Sequence, residues 1–269
     1  MLALLVPAAE SARAELIARE SFDYAATNVA HCNGGEGWQG AWFGSPLNAR
    51  DNAVTTGGLA HASLAAAGGK MIENGGDIRS FRRIDTSGPA LAGLLDEGAS
   101  GKALGRDDTT IWIAFLIACD SYPVTAYGGI HLCDGLGDLN QDKFGDKRSH
   151  QRISMGRQNN DPHWYLGRVT NGGPGKGAWA SPVTADRTVR LLVYRFDFKK
   201  GPEEAWMWID PPLDAEPPAS NAVVHADTVE DFRFNTLSAG AGGASRFLLD
   251  EIRIGTTFAD VAPRRRETH

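Results

Sequence analysis

The sequence predicts an all-β fold, two antiparallel sheets packed face to face. Three observations carry that prediction. The 32 glycines and 13 prolines among 269 residues separate short β-rich runs throughout the chain. Few stretches have the Ala/Leu/Glu/Lys make-up or the period of a long helix. Two apolar runs each return across a short turn, as antiparallel neighbours do: "TIWIAFLIACD" as "YGGIHLCDG" across a turn containing Pro123, and "TVRLLVYRFDF" as "AWMWIDPP" across "KKGPEE". Both leading strands are apolar at nearly every position, which makes them central and covered on both faces.

The strand candidates follow in order. They are Leu16–Tyr24, Ala53–Thr56, Lys70–Glu73, Ile78–Ile84, Thr109–Cys119 and Tyr127–Cys133. Then come Arg152–Gly156, His163–Val169, Thr188–Phe198, Ala205–Asp210, Asp231–Leu237 and Arg246–Ile254. "ALAGLLDEG", residues 90–98, is the best short helix. With no internal repeat or linker, residues 15–263 read as one domain, a size that sandwiches reach as a single unit.

Hydrophobic residues make up 42% of the chain, enough for a substantial core. The net charge of −6 offers no global basic field, so nucleic acid is not an expected partner. Arg264, Arg265 and Arg266 read as part of a solvated basic tail, 264–269. The first fourteen residues, "MLALLVPAAESARA", read as a signal-peptide remnant: Leu2 to Ala9 is apolar, and Ala12-Arg13-Ala14 fits cleavage before Glu15. A short N-terminal helix is the plainer reading. A secreted or cell-surface protein is expected, and no later segment reaches the roughly 18 apolar residues that span a bilayer. Cys32, Cys119 and Cys133 form no C-x-x-C and are odd in number, so no disulfide is expected to hold the fold.

Two carboxylates stand among apolar residues. Side chains alternate along a strand. On "FLLDEIRIG" that alternation puts Leu248, Asp250, Ile252 and Ile254 on one face; on the first strand it puts Glu20 with Leu16, Ala18, Phe22 and Tyr24. A buried carboxylate needs a partner or a proton. If the first and last strands pair, Glu20 and Asp250 come close, and a structural Ca²⁺ suits two such carboxylates. An arginine ion pair, or backbone N–H donors, is the plainer answer.

"RTVRLLVYRFDFKKGPEEAWMWIDPP" resembles the central hairpin of laminin-G-like, concanavalin A-like domains, and "FLLDEIRIGTTFADVAP" resembles their closing strand. "ESFDY" followed by "NGGEGWQGAW" is similar to the opening of exported bacterial members. The resemblance spans residues 15–263. It implies a two-sheet antiparallel jelly-roll sandwich, often with structural Ca²⁺, and binding of a polysaccharide or another glycan. Some relatives are glycoside hydrolases or lyases, so the fold alone does not settle the function.

Retaining glucanases on this scaffold carry Glu-x-Asp-x-Glu or a one-residue variant, which sets two acids on one face about 5–5.5 Å apart. Neither "DEIRIG" nor "DTVEDF" has that order. A hydrolase or lyase would instead take carboxylates from separate strands of the concave sheet, such as Asp197 with Asp210. Asp138, Asn140 and Asp142 in "DLNQDKFGD" occupy the first, third and fifth positions of an EF-hand-like loop. Lys143 replaces its glycine, so an ordinary polar loop is the better reading. The seven histidines show no metal spacing, and no P-loop or G-x-S-x-G elbow is present.

The expected sugar-binding residues are aromatic. Trp38 and Trp42 lie in "GEGWQGAWFG", and Trp164, Tyr165 and Trp179 flank "TNGGPGKG". An exposed ring is a flat platform for the CH face of a sugar, although tryptophan more often packs in a core. Arg79, with Arg82 and Arg83, can meet an acidic sugar; a charge-protected edge strand is the blander account. The expected function is a non-enzymatic glycan- or surface-binding domain. The alternatives are a glycan-cleaving enzyme and a structural module of a cell-surface assembly.

Overall fold

The computed structural model describes residues 15–44, 51–61, 64–121, 124–136, 150–170 and 173–265. The 1–14 segment and the Asp138–Asn140–Asp142 loop lie outside them. Two antiparallel sheets face each other. The larger sheet runs, edge to edge, through Val224–Ala226, Glu204–Ile209, Arg190–Phe198, Thr109–Cys119, Phe247–Gly255, Lys70–Glu73, Ala53–Thr55 and Thr27–Asn28; Leu16–Glu20 also pairs with Phe247–Gly255. The smaller runs through Gly173–Thr184, His163–Thr170, Gln151–Arg157, Gly128–Cys133, Thr236–Ala241, Ile78–Arg83 and Phe43–Gly44. This is the jelly-roll sandwich expected from the sequence.

The core lies between the sheets. Ile111, Ile113, Phe115 and Ile117 from the larger sheet meet Ile130, Leu132, Ile153, Met155, Trp164 and Leu166 from the smaller. The alternate residues of the 109–119 strand, Trp112, Ala114 and Leu116, face outward. There they pack with Trp206, Trp208, Leu59 and the capped turn Phe258–Val261. Burial on both faces explains why this strand is apolar at successive positions rather than at alternate ones.

Three local expectations are corrected. Thr109–Cys119 does not form a hairpin with Gly128–Cys133. The chain crosses from the larger sheet to the smaller, and the 109–119 strand pairs instead with Arg190–Phe198 and Phe247–Gly255. Residues 90–98 form a 3₁₀ segment, Pro89–Leu94, followed by Leu95–Gly98, which pairs with Gly101–Leu104. Ile78–Arg83 is not a solvated edge: all but Arg83 are buried, and Phe43–Gly44 covers the side away from Thr236–Ala241. The hairpin of Arg190–Phe198 with Glu204–Ile209 forms as expected. All three cysteines are free thiols.

Candidate functional site on the smaller sheet

The first and last strands are neighbours: Ala18 lies opposite Ile254 and Glu20 opposite Ile252. Glu20 and Asp250 are both fully buried, yet they do not meet. The register with Thr109–Cys119 slips between Asp250 and Arg253, and Glu251 adopts φ 47°. This is a β-bulge, and it shifts the alternation by one residue. Leu249, Ile252 and Ile254 point into the core between the sheets, whereas Asp250 lies opposite Leu116 on the outer face. The strict alternation expected from the sequence fails at that extra residue.

Each carboxylate has its own donors. Glu20 Oε1 accepts from Phe22 N at 2.8 Å; Oε2 accepts from Trp42 Nε1 at 2.8 Å, from Tyr24 Oη at 2.9 Å, and from Arg82 Nη1. Arg82 also donates to Gly34 O and Gly40 O and lies over the Trp38 ring, 5.1 Å from its centroid. Burial, followed by the charge of Glu20, raises the Tyr24 hydroxyl to about 12. Asp250 Oδ2 accepts from Leu59 N at 2.7 Å and Oδ1 from Glu251 N at 2.7 Å. Glu251 accepts from Ala67 N and pairs with Arg19 and Arg253. The two clusters pin the 34–42 and 58–67 segments onto the larger sheet. They do not fit the expected shared Ca²⁺: N–H and O–H donors surround Glu20, and Asp250 lies on the opposite face of the sheet.

The aromatic candidates are placed as core. Trp42 and Trp164 are fully buried, and Tyr165 is 4% exposed. Trp38 is partly buried; its Nε1 donates to Arg19 O at 2.8 Å, and Arg82 covers one face. Trp179 lies opposite Leu166 and packs against the core. Buried in the core, the rings of Trp42, Trp164 and Tyr165 are not offered to a sugar.

The outer face of the smaller sheet is polar. Strand pairing sets Arg79, Phe81 and Arg83 on this face with Gly240, Ser238 and Thr236. Ser238 lies beside His131, and His131 beside Ser154. Arg79 Nη1 is 2.8 Å from His131 Nδ1, and His131 Nε2 is 3.0 Å from Ser154 Oγ, to which Tyr165 Oη donates. A guanidinium only donates, so Nδ1 must accept; in the neutral ring Nε2 then carries the proton. Both ring nitrogens are engaged. The row is buried: Arg79 and His131 are each 4% exposed.

At one end this face opens into a pocket of about 470 Å³. Its walls come from six separate segments. Gln39 enters beside Arg83, whose carbonyl accepts from Gln39 N at 2.9 Å. Ser100 and Lys102 come from the 95–104 hairpin, His150 from the start of the 151–157 strand, and Asn235 and Thr236 from the neighbouring strand. Asn235 is fixed: its Oδ1 accepts from Gly135 N at 2.9 Å and from Thr236 Oγ1 at 3.1 Å. His150 Nδ1 is 2.7 Å from Asp134 O, so it donates there and leaves Nε2 as the ring's remaining polar atom. Among the described residues no Asp or Glu lines this pocket.

The sequence groups Arg79, Arg82 and Arg83, but the fold sends them to three places: the buried polar row, the core at Glu20, and the pocket. The remaining pocket residues were not foreseen. They come from several distant segments with no spacing to connect them, and only tertiary structure assembles them.

No protein-family model and no curated protein sequence matches the chain. Among solved structures, the chain is similar to the T. cruzi calreticulin globular domain, with TM-score 0.52 and 12% identity over 92% of this chain and 90% of that one. A carbohydrate recognition domain, that of Emp46p in its potassium-bound form, gives TM-score 0.42 and 8% identity over 71% of this chain and 84% of that one. A protein of unknown function from Shewanella oneidensis MR-1 gives TM-score 0.43 and 9% identity over the whole of both chains. The likeness to the calreticulin globular domain supports a two-sheet jelly-roll sandwich as the fold and carries no role with it. Among the described residues no helix is long and apolar enough to cross a membrane.

Proposed function

We propose that this chain is a carbohydrate-binding jelly-roll domain that takes its ligand in the pocket on the smaller sheet. The observation that carries the reading is the lining. Amide, hydroxyl and cationic side chains from Gln39, Ser100, Asn235, Thr236, Arg83 and Lys102 surround one concavity, with Ile84 and Leu136 as apolar contacts. Sugars need this kind of site: convergent hydrogen-bonding groups on a rigid scaffold. The role is binding rather than cleavage. His131 is buried and does not line the pocket. The pair considered for catalysis is engaged elsewhere: Asp197 by Arg195 and Thr110, Asp210 by His61, Arg190 and Leu191 N.

The reading includes export, supported by the apolar run from Leu2 to Ala9 followed by Ala12-Arg13-Ala14. Fractionation of expressing cells, with N-terminal sequencing of the exported form, tests it; a start at Glu15 is expected. Titration calorimetry against neutral and acidic oligosaccharides tests the binding role. Gln39 is exposed, so Gln39→Ala should weaken binding several-fold while the melting curve is unchanged. A chain that binds no saccharide would end the proposal.

A further inference from the structure

We infer that the ligand of this pocket is an acidic saccharide, and that Arg83 receives its carboxylate or sulfate. This rests on the glycan reading and goes beyond it by naming the charge of the sugar.

The charge of the lining runs against that of the chain. The protein carries 33 acidic residues and 27 Lys and Arg, yet among the described residues the pocket has Arg83 and Lys102 and no carboxylate. The two cationic side chains come from the 78–83 strand and the 95–104 hairpin, so no single run of sequence accounts for the bias.

Arg83 differs from the arginines around it. Arg82 is spent on Glu20, Arg79 on His131, and Arg152 on Asp134 and Glu230. Among the described residues the Arg83 guanidinium makes no ion pair and no hydrogen bond, and it lies over the Phe43 ring, 5.8 Å from the centroid. That ring, stacked on Phe81 with centroids 5.9 Å apart, steadies the guanidinium without using any of its five donors. A guanidinium held on a ring with a free donor fork is suited to a planar carboxylate or a sulfate, which it can grip through two parallel bonds. Lys102 pairs with Glu97 at the surface, both more than half exposed; such a pair is weak and is readily exchanged for a ligand anion. Asn235 and Thr236, held rigid by the bonds described above, supply the neutral contacts that distinguish a sugar from a bare anion.

The experiment uses the full chain and four probes: an oligogalacturonate, a sulfated chondroitin oligosaccharide, an uncharged dextran oligomer and inorganic polyphosphate. Binding is measured at low and high salt on the parent, Arg83→Ala, Arg83→Lys and Gln39→Ala. Arg83 is exposed and unbonded, so its variants should melt with the parent. The expected result is binding of one or both acidic saccharides, weakened by salt, about tenfold weaker in Arg83→Ala and partly recovered in Arg83→Lys. The uronate and sulfate arms show which acid is preferred. Equal binding of dextran, unchanged by Arg83→Ala and weakened by Gln39→Ala, would overturn the acidic assignment and leave the glycan reading intact. Polyphosphate bound as tightly as the saccharides would overturn it too, since the pocket would then be reading charge alone. Absence of binding to all four probes would remove both readings.

Discussion

Arg82 and Glu20 form an ion pair in which each side chain is only 1% exposed. The pair joins the smaller sheet to the first strand of the larger one, and two tryptophan rings flank it. Desolvating two charges is costly, and their mutual attraction repays it only while both are present. Arg82→Leu leaves a buried carboxylate whose remaining donors are neutral. The expected loss is about 3–5 kcal/mol by denaturant titration. The double variant Glu20→Gln/Arg82→Leu should recover part of it, because no unpaired charge is left. A single variant as stable as the parent would show that the pair is not sealed from water.

The donor sets around Glu20 and Asp250 also bear on calcium. With Arg82 on one carboxylate, and two backbone N–H groups on the other across the sheet, neither offers an open face to a cation. Glu20→Gln and Asp250→Asn should therefore leave any response of the melting temperature to Ca²⁺ or EDTA the same as in the parent, whatever their own cost. A calcium-dependent rise present in the parent and lost in either variant would reverse that assignment.

The last strand shows what could be read from the sequence and what could not. Its apolar character and the burial of Asp250 follow from composition and alternation, whereas its pairing with the first strand enters there only as a condition that the structure meets. The face that Asp250 occupies does not follow, because one residue at φ 47° shifts the parity. No propensity marks Glu251 for a left-handed conformation; its buried side chain, held by Ala67 N and Arg253, keeps it there. The same limit applies to the three arginines of "RSFRRI". Alternation separates Arg82 from Arg79 and Phe81, but not Arg79 from Arg83, which share a face. One lies under cover and the other in an open pocket, because the loops that decide this are distant in sequence.

Gly129 gives a sharper test of the backbone. It sits at φ 128°, and a Cβ there would lie 2.2 Å from Met155 O. The neighbouring strand would have to move, breaking the ladder that lines up His131 with Ser154. Gly129→Ala should cost several kcal/mol, at the upper end for a single substitution. Chemical denaturation would measure it. A cost below about 1 kcal/mol would mean that the strand relaxes freely.

Glu73 ties the smaller sheet to the pH dependence of stability. Its side chain crosses the core from the larger sheet, fully buried, and Oε2 accepts from Gly129 N at 3.0 Å. Oε1 has no hydrogen-bond partner. Burial raises its pKa from 4.5 to about 8, against the opposing pull of the Gly129 N–H and the Arg79 charge. The folded chain thus holds a proton that the unfolded chain releases. The contribution is fully present below about pH 4.5 and is lost as pH rises through about 8. Stability should therefore fall by up to a few kcal/mol from this group as pH rises from about 4.5 to about 8, and level off above. Asp250, raised to about 8 chiefly by burial, adds to the fall in the same direction. Glu73→Gln keeps an oxygen for Gly129 and has no proton to lose. Urea titrations at pH 5 and pH 9 should show a shallower decline in this variant than in the parent, with a remainder due to Asp250. If the two decline in parallel, Glu73 is already ionised in the folded state and the buried carboxyl is better solvated than its surroundings indicate.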